Sequence, residues 1–227
     1  MRPDIVLITI GESPRPDPMD ALGLAGHDGV TFIGALDTLR EDQVAELRWN
    51  PDDEDLPIFT WFRGQEVILG RRRLYHRLRQ VVSALPKRPS LIAILCTESF
   101  PGVGEGDFVL RIDKLLTQTV SALTVGHTRL GVFVPVLGQV AAGEARWNLF
   151  AQSAACCLPP RSDESQIRES CRLMRERLGG TPHLIVLDCM GYTRQDLQTV
   201  SEEFDCTIIW PAELVRSILH RHMNISP

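Results

Sequence analysis

Leu184-Ile185-Val186-Leu187-Asp188-Cys189-Met190-Gly191-Tyr192 is the stretch whose reading decides the fold. An unbroken apolar run closes on a thiol and small residues. Such runs suit strands buried on both faces, as in parallel sheets, rather than the alternating strands of a half-solvated sheet. A second stretch of the same design, Leu91-Ile92-Ala93-Ile94-Leu95-Cys96-Thr97-Glu98-Ser99, lies upstream, its cysteine 93 residues before Cys189. This repetition of a strand ending in Cys hints at two related halves.

Three more apolar runs surround this pair: Ile5 to Ile10 before Gly11, Leu130 to Pro135, and Thr207 to Trp210 before Pro211. Helical periodicity fills the intervals, over Leu39–Leu47, Arg72–Leu85, Ile112–Leu123, Ser162–Leu178, Thr193–Phe204 and Pro211–His222. Apolar residues there recur at i and i+4, the spacing of one buried helix face. Strands alternating with helices predict an α/β fold of parallel sheets flanked by helices, with ligands at the carboxyl ends of the strands. Phe59–Gly70 reads as a β-hairpin turning at Arg63-Gly64. The segment Gly11–Pro18 carries three prolines and is expected to form neither helix nor ladder. Asn50–Asp55 reads as a solvated acidic loop.

Composition narrows the function. The 227 residues carry a net charge of −5, so the whole chain lacks the basic footprint expected of a nucleic-acid partner. The longest apolar run spans six residues, far short of the roughly 20 that a membrane span needs. The opening apolar block is too short for a secretory signal and no small-residue cleavage site follows it, so a cytoplasmic location is expected. Six cysteines in so large a chain suit a reducing compartment rather than a disulfide framework. No zinc-type C-x-x-C pair occurs, and the histidines are scattered. No metal is therefore expected. No glycine-rich nucleotide fingerprint follows a strand, and no G-x-S-x-G elbow is present.

Cys96 and Cys189 are the leading candidates for chemistry. A thiol at the carboxyl end of a buried strand, beside helix N-termini, has its pKa drawn down toward neutrality. Two such thiols can serve as base and acid on one carbon. Each taken alone reads as an inert core residue; their symmetric placement is what points to chemistry. Arg15, in the proline-rich turn, can fork a carboxylate or stand as a solvated surface arginine, with Glu12 and Ser13 orienting it. Arg71-Arg72-Arg73 places like charges at a helix start, where the dipole disfavours cations; an anion or acidic partner nearby, or a solvated face, would each account for it.

Ile8-Thr9-Ile10-Gly11-Glu12-Ser13-Pro14-Arg15-Pro16-Asp17, Arg71-Arg72-Arg73-Leu74, Gly131-Val132-Phe133-Val134-Pro135-Val136 and Val186–Tyr192 resemble the corresponding motifs of AroM proteins. That resemblance covers essentially the whole chain. It implies the fold of the aspartate/glutamate and hydantoin racemase superfamily: two similar lobes, an active-site cleft between them, and one cysteine from each lobe. On that pattern residues 1–111 with 212–227 form the first lobe and 112–211 the second. Cys96 and Cys189 then match the two catalytic positions. The substrate-binding set becomes Gly11, Glu12, Ser13, Arg15, Thr97, Glu98, Ser99, Pro135, Val136, Met190, Gly191 and Tyr192. The resemblance implies cofactor-independent chemistry on a small carboxylate and, from the superfamily, a homodimer.

The chain departs from the racemase pattern. Racemases place Asn-Thr after the first cysteine and a pair such as Thr-His after the second. Here Thr97-Glu98 and Met190-Gly191 stand in those places, and Met190 has no hydrogen to donate to a carboxylate. Pro135-Val136 likewise replaces hydroxyl or amide donors. Two functions follow: an isomerase using cysteine acid/base chemistry, or a non-catalytic small-molecule binding or regulatory protein on the same fold.

Overall fold

The computed structural model describes residues 4–24, 26–85 and 88–225; Met1-Arg2-Pro3 and Ser226-Pro227 lie outside them. The chain divides into two compact units, Met1–Lys114 with Val215–Pro227, and Leu115–Leu214. Each is an α/β unit built on a four-stranded parallel sheet.

In the first unit the strands are β1 (Ile5–Thr9), β2 (Val30–Gly34), β5 (Leu91–Leu95) and β6 (Val109–Leu110), in the order β2-β1-β5-β6. Every residue of β1 and β5 is buried, as their unbroken apolar sequences require. A hairpin, β3 (Pro57–Phe62) and β4 (Gln65–Gly70), stands apart from that sheet. Arg63 (φ 50°) and Gly64 (φ 73°) make the two-residue, doubly left-handed turn that matches strand twist. Helices α1 (Pro16–Leu22), α2 (Glu41–Leu47) and α3 (Arg71–Ser83) complete the unit's own elements.

In the second unit β7 (Arg129–Val134), β8 (Gln152–Cys157), β9 (Leu184–Leu187) and β10 (Thr207–Ile209) are ordered β8-β7-β9-β10. That is the order of the first sheet, strand for strand. Its helices are α5 (Val140–Trp147), α6 (Glu164–Leu178) and α7 (Arg194–Glu203). The divisions between units fall inside α4 (Ile112–Leu123) and α8 (Pro211–Met223), each of which follows the fourth strand of a sheet. Ile112, Leu116 and Val120 on α4, and Val215 and Leu219 on α8, recur at i+4 and are buried.

Several sequence expectations require correction. The proline-rich segment does enter a helix: α1 begins at Pro16, because a helix's first turn has unbonded N–H groups and tolerates proline. The candidate strands were expected to run through Cys96 and Cys189, but they end at Leu95 and Leu187. Each cysteine turns its N–H back onto the carbonyl two residues earlier and leaves the ladder. Strand β2 is interrupted by Thr31 and β8 opens on Gln152-Ser153 and small residues, so pairing with a buried neighbour defines them.

The acidic loop is not merely solvated. Asp55 accepts the Arg72 N–H at 2.9 Å, and Asp53 pairs with the Arg73 guanidinium at 2.8 Å. These carboxylates supply the negative charge that a helix start attracts, and Asp53 neutralises one arginine of the run, Arg73. No helix among the described residues is long and apolar enough to cross a membrane.

Candidate functional site

In the first unit Thr9 lies opposite Leu95, so the segments following β1 and β5 emerge side by side at one sheet edge. Gly11–Arg15 follows one of these strands and Cys96–Ser99 follows its neighbour. Cys96 and Thr97 are buried, while Glu98 and Ser99 are partly exposed. The Ser99 hydroxyl accepts from Arg111 at 3.3 Å, and Arg111 grips Asp113 through two nitrogens at 3.0 and 3.1 Å.

Glu12 and Ser13 are tied to neighbours other than Arg15. Glu12 Oε2 accepts the Arg63 N–H at 2.8 Å, pinning the hairpin turn to the loop. Asp37 takes the Ser13 N–H at 2.7 Å, its hydroxyl at 2.5 Å and the Gly34 N–H at 2.7 Å. Arg77 in turn donates to the carbonyls of Ala35 at 2.6 Å and Asp37 at 3.2 Å. Arg15 occupies the N-cap position of α1, partly buried, with extended backbone. Gly11 has no room for a side chain, since a Cβ there would lie 2.6 Å from the Trp61 carbonyl oxygen. The loop is thus a braced scaffold.

The second unit repeats the plan. Pro135 is buried and Val136 partly so, leading into a short 3-10 turn at Leu137–Gln139. Asp188 is buried and accepts the Trp147 indole N–H at 2.8 Å. Arg146 approaches the same carboxylate at 3.5 Å while its guanidinium covers the Trp147 ring at 4.6 Å. Asp188 therefore anchors the turn to α5.

Cys189 is partly exposed, and its sulfur receives the Gly191 N–H at 3.3 Å. A donor aimed at sulfur favours the thiolate over the thiol. Met190 and Tyr192 are buried; the Tyr192 hydroxyl donates to the Leu158 carbonyl at 2.7 Å, so it braces the loop from beneath. Burial, with the ionisable groups of Cys189 and Cys157 nearby, holds that phenol well above its usual range. Thr193 then caps α7 reciprocally with Asp196, whose carboxylate also receives the Arg161 N–H at 3.1 Å.

Backbone bonds follow the same pattern in the two units. Ala35 N–H donates to Thr9 and Leu158 N–H to Val134, both at 2.8 Å. Leu95 lies opposite Thr9, and one residue beyond the Phe133–Leu187 pair Asp188 lies opposite Val134. Cys96 and Cys189 follow at the same place, each bonding back two residues, to Ile94 and Leu187, at 2.8 Å.

Burial pushes Cys156 and Cys206 up to about 11 and Cys171 up to about 12, and moves Cys157 in the same direction. Among the described residues no group of three His, Cys, Asp or Glu side chains could hold a metal ion.

Sequence reasoning missed Asp37, Arg146, Trp147 and Asp196. Asp196 had a local signal, Thr193-x-x-Asp196 before an apolar run, which is the pattern of a capping box. Asp37 had none, because its partner Ser13 lies 24 residues away.

Two α/β units of one strand order, each presenting a cysteine just beyond its third strand, define a doubled parallel-sheet protein of the Asp/Glu racemase-like fold. The chain matches the model of the AroM protein family over residues 5–222 and belongs to that family. It is similar in structure to allantoin racemase from Pseudomonas fluorescens (TM-score 0.55, 11% identity, 97% of this chain and 91% of that one). It is also similar to unliganded arylmalonate decarboxylase (TM-score 0.53, 13% identity, 99% and 94%). A third similar structure is aspartate racemase of Picrophilus torridus (TM-score 0.51, 11% identity, 97% and 94%). At these identities the likeness is one of fold. No curated protein matches the chain.

Proposed function

We propose that this protein catalyses cofactor-independent proton transfer at the carbon beside the carboxylate of a small organic acid, with Cys96 and Cys189 as the acid/base pair. The observation that carries this reading is the equivalence of the two thiols: same strand, same register, same backbone turn in each unit. A duplicated framework that keeps a thiol at one point in both copies suits a reaction needing one group to remove a proton and another to supply one.

In a racemisation one thiolate takes the α-proton, the C–H electrons pass to the carbon and its carbonyl, and the second thiol returns a proton. The first sulfur ends protonated and the second ionised, so no cofactor or redox partner is required. In a decarboxylation the C–C bond breaks, carbon dioxide leaves, and one thiol protonates the carbon that remains. The names of the similar structures, two racemases and a malonate decarboxylase, support this class of chemistry. In this reading Cys189 is the resting thiolate, with the Gly191 N–H pointing at its sulfur. Cys96, buried against the end of β5, is the acid. Arg15, Thr97 and the backbone of Gly11–Ser13 hold the carboxylate, with Glu98, Ser99, Pro135, Val136 and Met190–Tyr192 shaping the site; the protein works in the cytoplasm, as a homodimer.

A second reading, a binding or regulatory protein, is favoured by one specific feature. Met190 and Pro135, buried at the loop ends of the second unit, offer no side-chain donor where an anion would need one.

Solvent deuterium incorporation, followed by mass spectrometry and proton NMR over a panel of small amino, hydroxy and keto acids, separates the two. Exchange at the α-carbon, falling at least 100-fold in both Cys96→Ser and Cys189→Ser, establishes the pair. Loss in Cys189→Ser alone reduces the mechanism to one thiol. No exchange, with some compounds still raising the melting temperature, selects the binding protein.

A further inference from the structure

In the first unit a cavity of about 280 Å³ lies between the first two turns of α3 and the segment that follows Cys96. Arg71, Arg72, Tyr75 and His76 line it from the helix, Ser99 and Phe100 from the segment. Its size is near the lower end of ordinary small-molecule sites.

The charges in this corner are partly neutralised. Asp53 pairs with Arg73, and Asp55 accepts the backbone N–H of Arg72. The Arg71 and Arg72 guanidiniums make no ion pair or hydrogen bond to the described residues, although they sit at adjacent positions at a helix start. Their two charges act in the same direction, toward an anion. Tyr75 adds a donor: its ring is fixed edge-on to His76 at 5.5 Å and beneath Arg79 at 5.9 Å. Its hydroxyl has no hydrogen-bond partner among the described residues. Phe100 is buried and, with Pro101, gives the cavity an apolar wall opposite the arginines.

We propose that this cavity is a binding site for a small organic oxyanion with an apolar body, its charged oxygens held by Arg71, Arg72 and the Tyr75 hydroxyl and its body resting on Phe100. Apart from Ser99, its lining lies outside the proton-transfer set, and the site stands whether or not the two thiols react.

The test is calorimetric titration of the intact protein, in low-salt buffer, with phenylacetate, acetate and inorganic phosphate, alongside the Arg71→Gln/Arg72→Gln variant. Both arginines reach solvent, and an unliganded melting temperature equal to the parent's confirms that the variant is folded. The expected result is saturable binding of phenylacetate, at least tenfold tighter than acetate and at least tenfold weaker in the double variant. Tyr75→Phe should weaken it by a smaller factor. Phosphate binding as well as or better than phenylacetate would overturn the apolar-body assignment. No binding, or binding unchanged in the double variant, would overturn the site. Turnover is not read, so either result leaves the proton-transfer reading to its own experiment.

Discussion

Cys96 and Cys189 stand at the same point of two sheets that share one strand order. Each follows the residue opposite the last position of its sheet's first strand, and each donates its N–H to the carbonyl two residues back at 2.8 Å. Their surroundings then diverge. Cys96 is buried, whereas Cys189 is partly open and receives the Gly191 N–H on its sulfur. Equivalent backbone positions thus carry two thiols of unequal exposure.

Alkylation should therefore be selective. Cys156, Cys171 and Cys206, at about 11 to 12, and Cys157, raised likewise, expose little thiolate at pH 7.5. A thiol of pKa 11 is ionised to roughly one part in a few thousand there. Iodoacetamide followed by peptide mass spectrometry should label Cys189 first, at least tenfold faster than any of these four. Faster labelling of Cys157 or Cys206 would remove Cys189 as the resting thiolate.

Asp196 should be the costliest polar side chain to remove near the Cys189 loop. It is 1% exposed and receives the N–H groups of Thr193 and Arg161 and the Thr193 hydroxyl. Asp196→Ala leaves several buried donors without an acceptor and should cost about 3 kcal/mol in urea unfolding. Asp196→Asn, which keeps one acceptor oxygen, should cost about half of that.

Gly34→Ala tests the brace of the first loop. A Cβ there would lie 2.6 Å from both the Gly11 carbonyl oxygen and the Ser13 nitrogen, so backbone must move. Destabilisation of about 2 to 3 kcal/mol is expected, from overpacking against atoms that cannot rotate away. Gly179→Ala, whose Cβ meets nothing within 4 Å but whose φ is 64°, should cost less, about 1 kcal/mol, through backbone strain alone.

Stability should fall on the alkaline side. Cys156, Cys171, Cys206 and Tyr192 all have folded values raised above those of the free groups, 9.0 for the thiols and 10.0 for the phenol. A raised acid keeps its full contribution below the unfolded value. As pH climbs past it the unfolded chain loses protons first, and stability declines until the folded group also ionises. Urea midpoints should be level from pH 7 to 8.5 and drop steadily from pH 9 to 11. Cys171→Ala should flatten that slope, even while lowering the starting stability through its cavity. An unchanged slope would place the alkaline loss elsewhere.

The sequence by itself determined the α/β class, the buried strands and the doubled cysteine. Unbroken apolar runs such as Ile5–Thr9 and Leu184–Leu187 bury both faces wherever they lie, so their state depends little on distant partners. The hairpin was legible for a related reason, since Arg63-Gly64 is a local turn. Strands β2 and β8 were not, because Val30–Gly34 and Gln152–Cys157 become strands by pairing with β1 and β7. The same division holds at the site. Tertiary structure alone decided that Asp37 and Arg63 occupy the loop polar groups of Ser13 and Glu12. It alone decided that Asp188 turns to Trp147 and that Arg71 and Arg72 face a cavity beside Ser99. Hydrogen bonds and charges act over a few ångströms in space, and a one-dimensional pattern carries no record of which residues the fold brings within that distance.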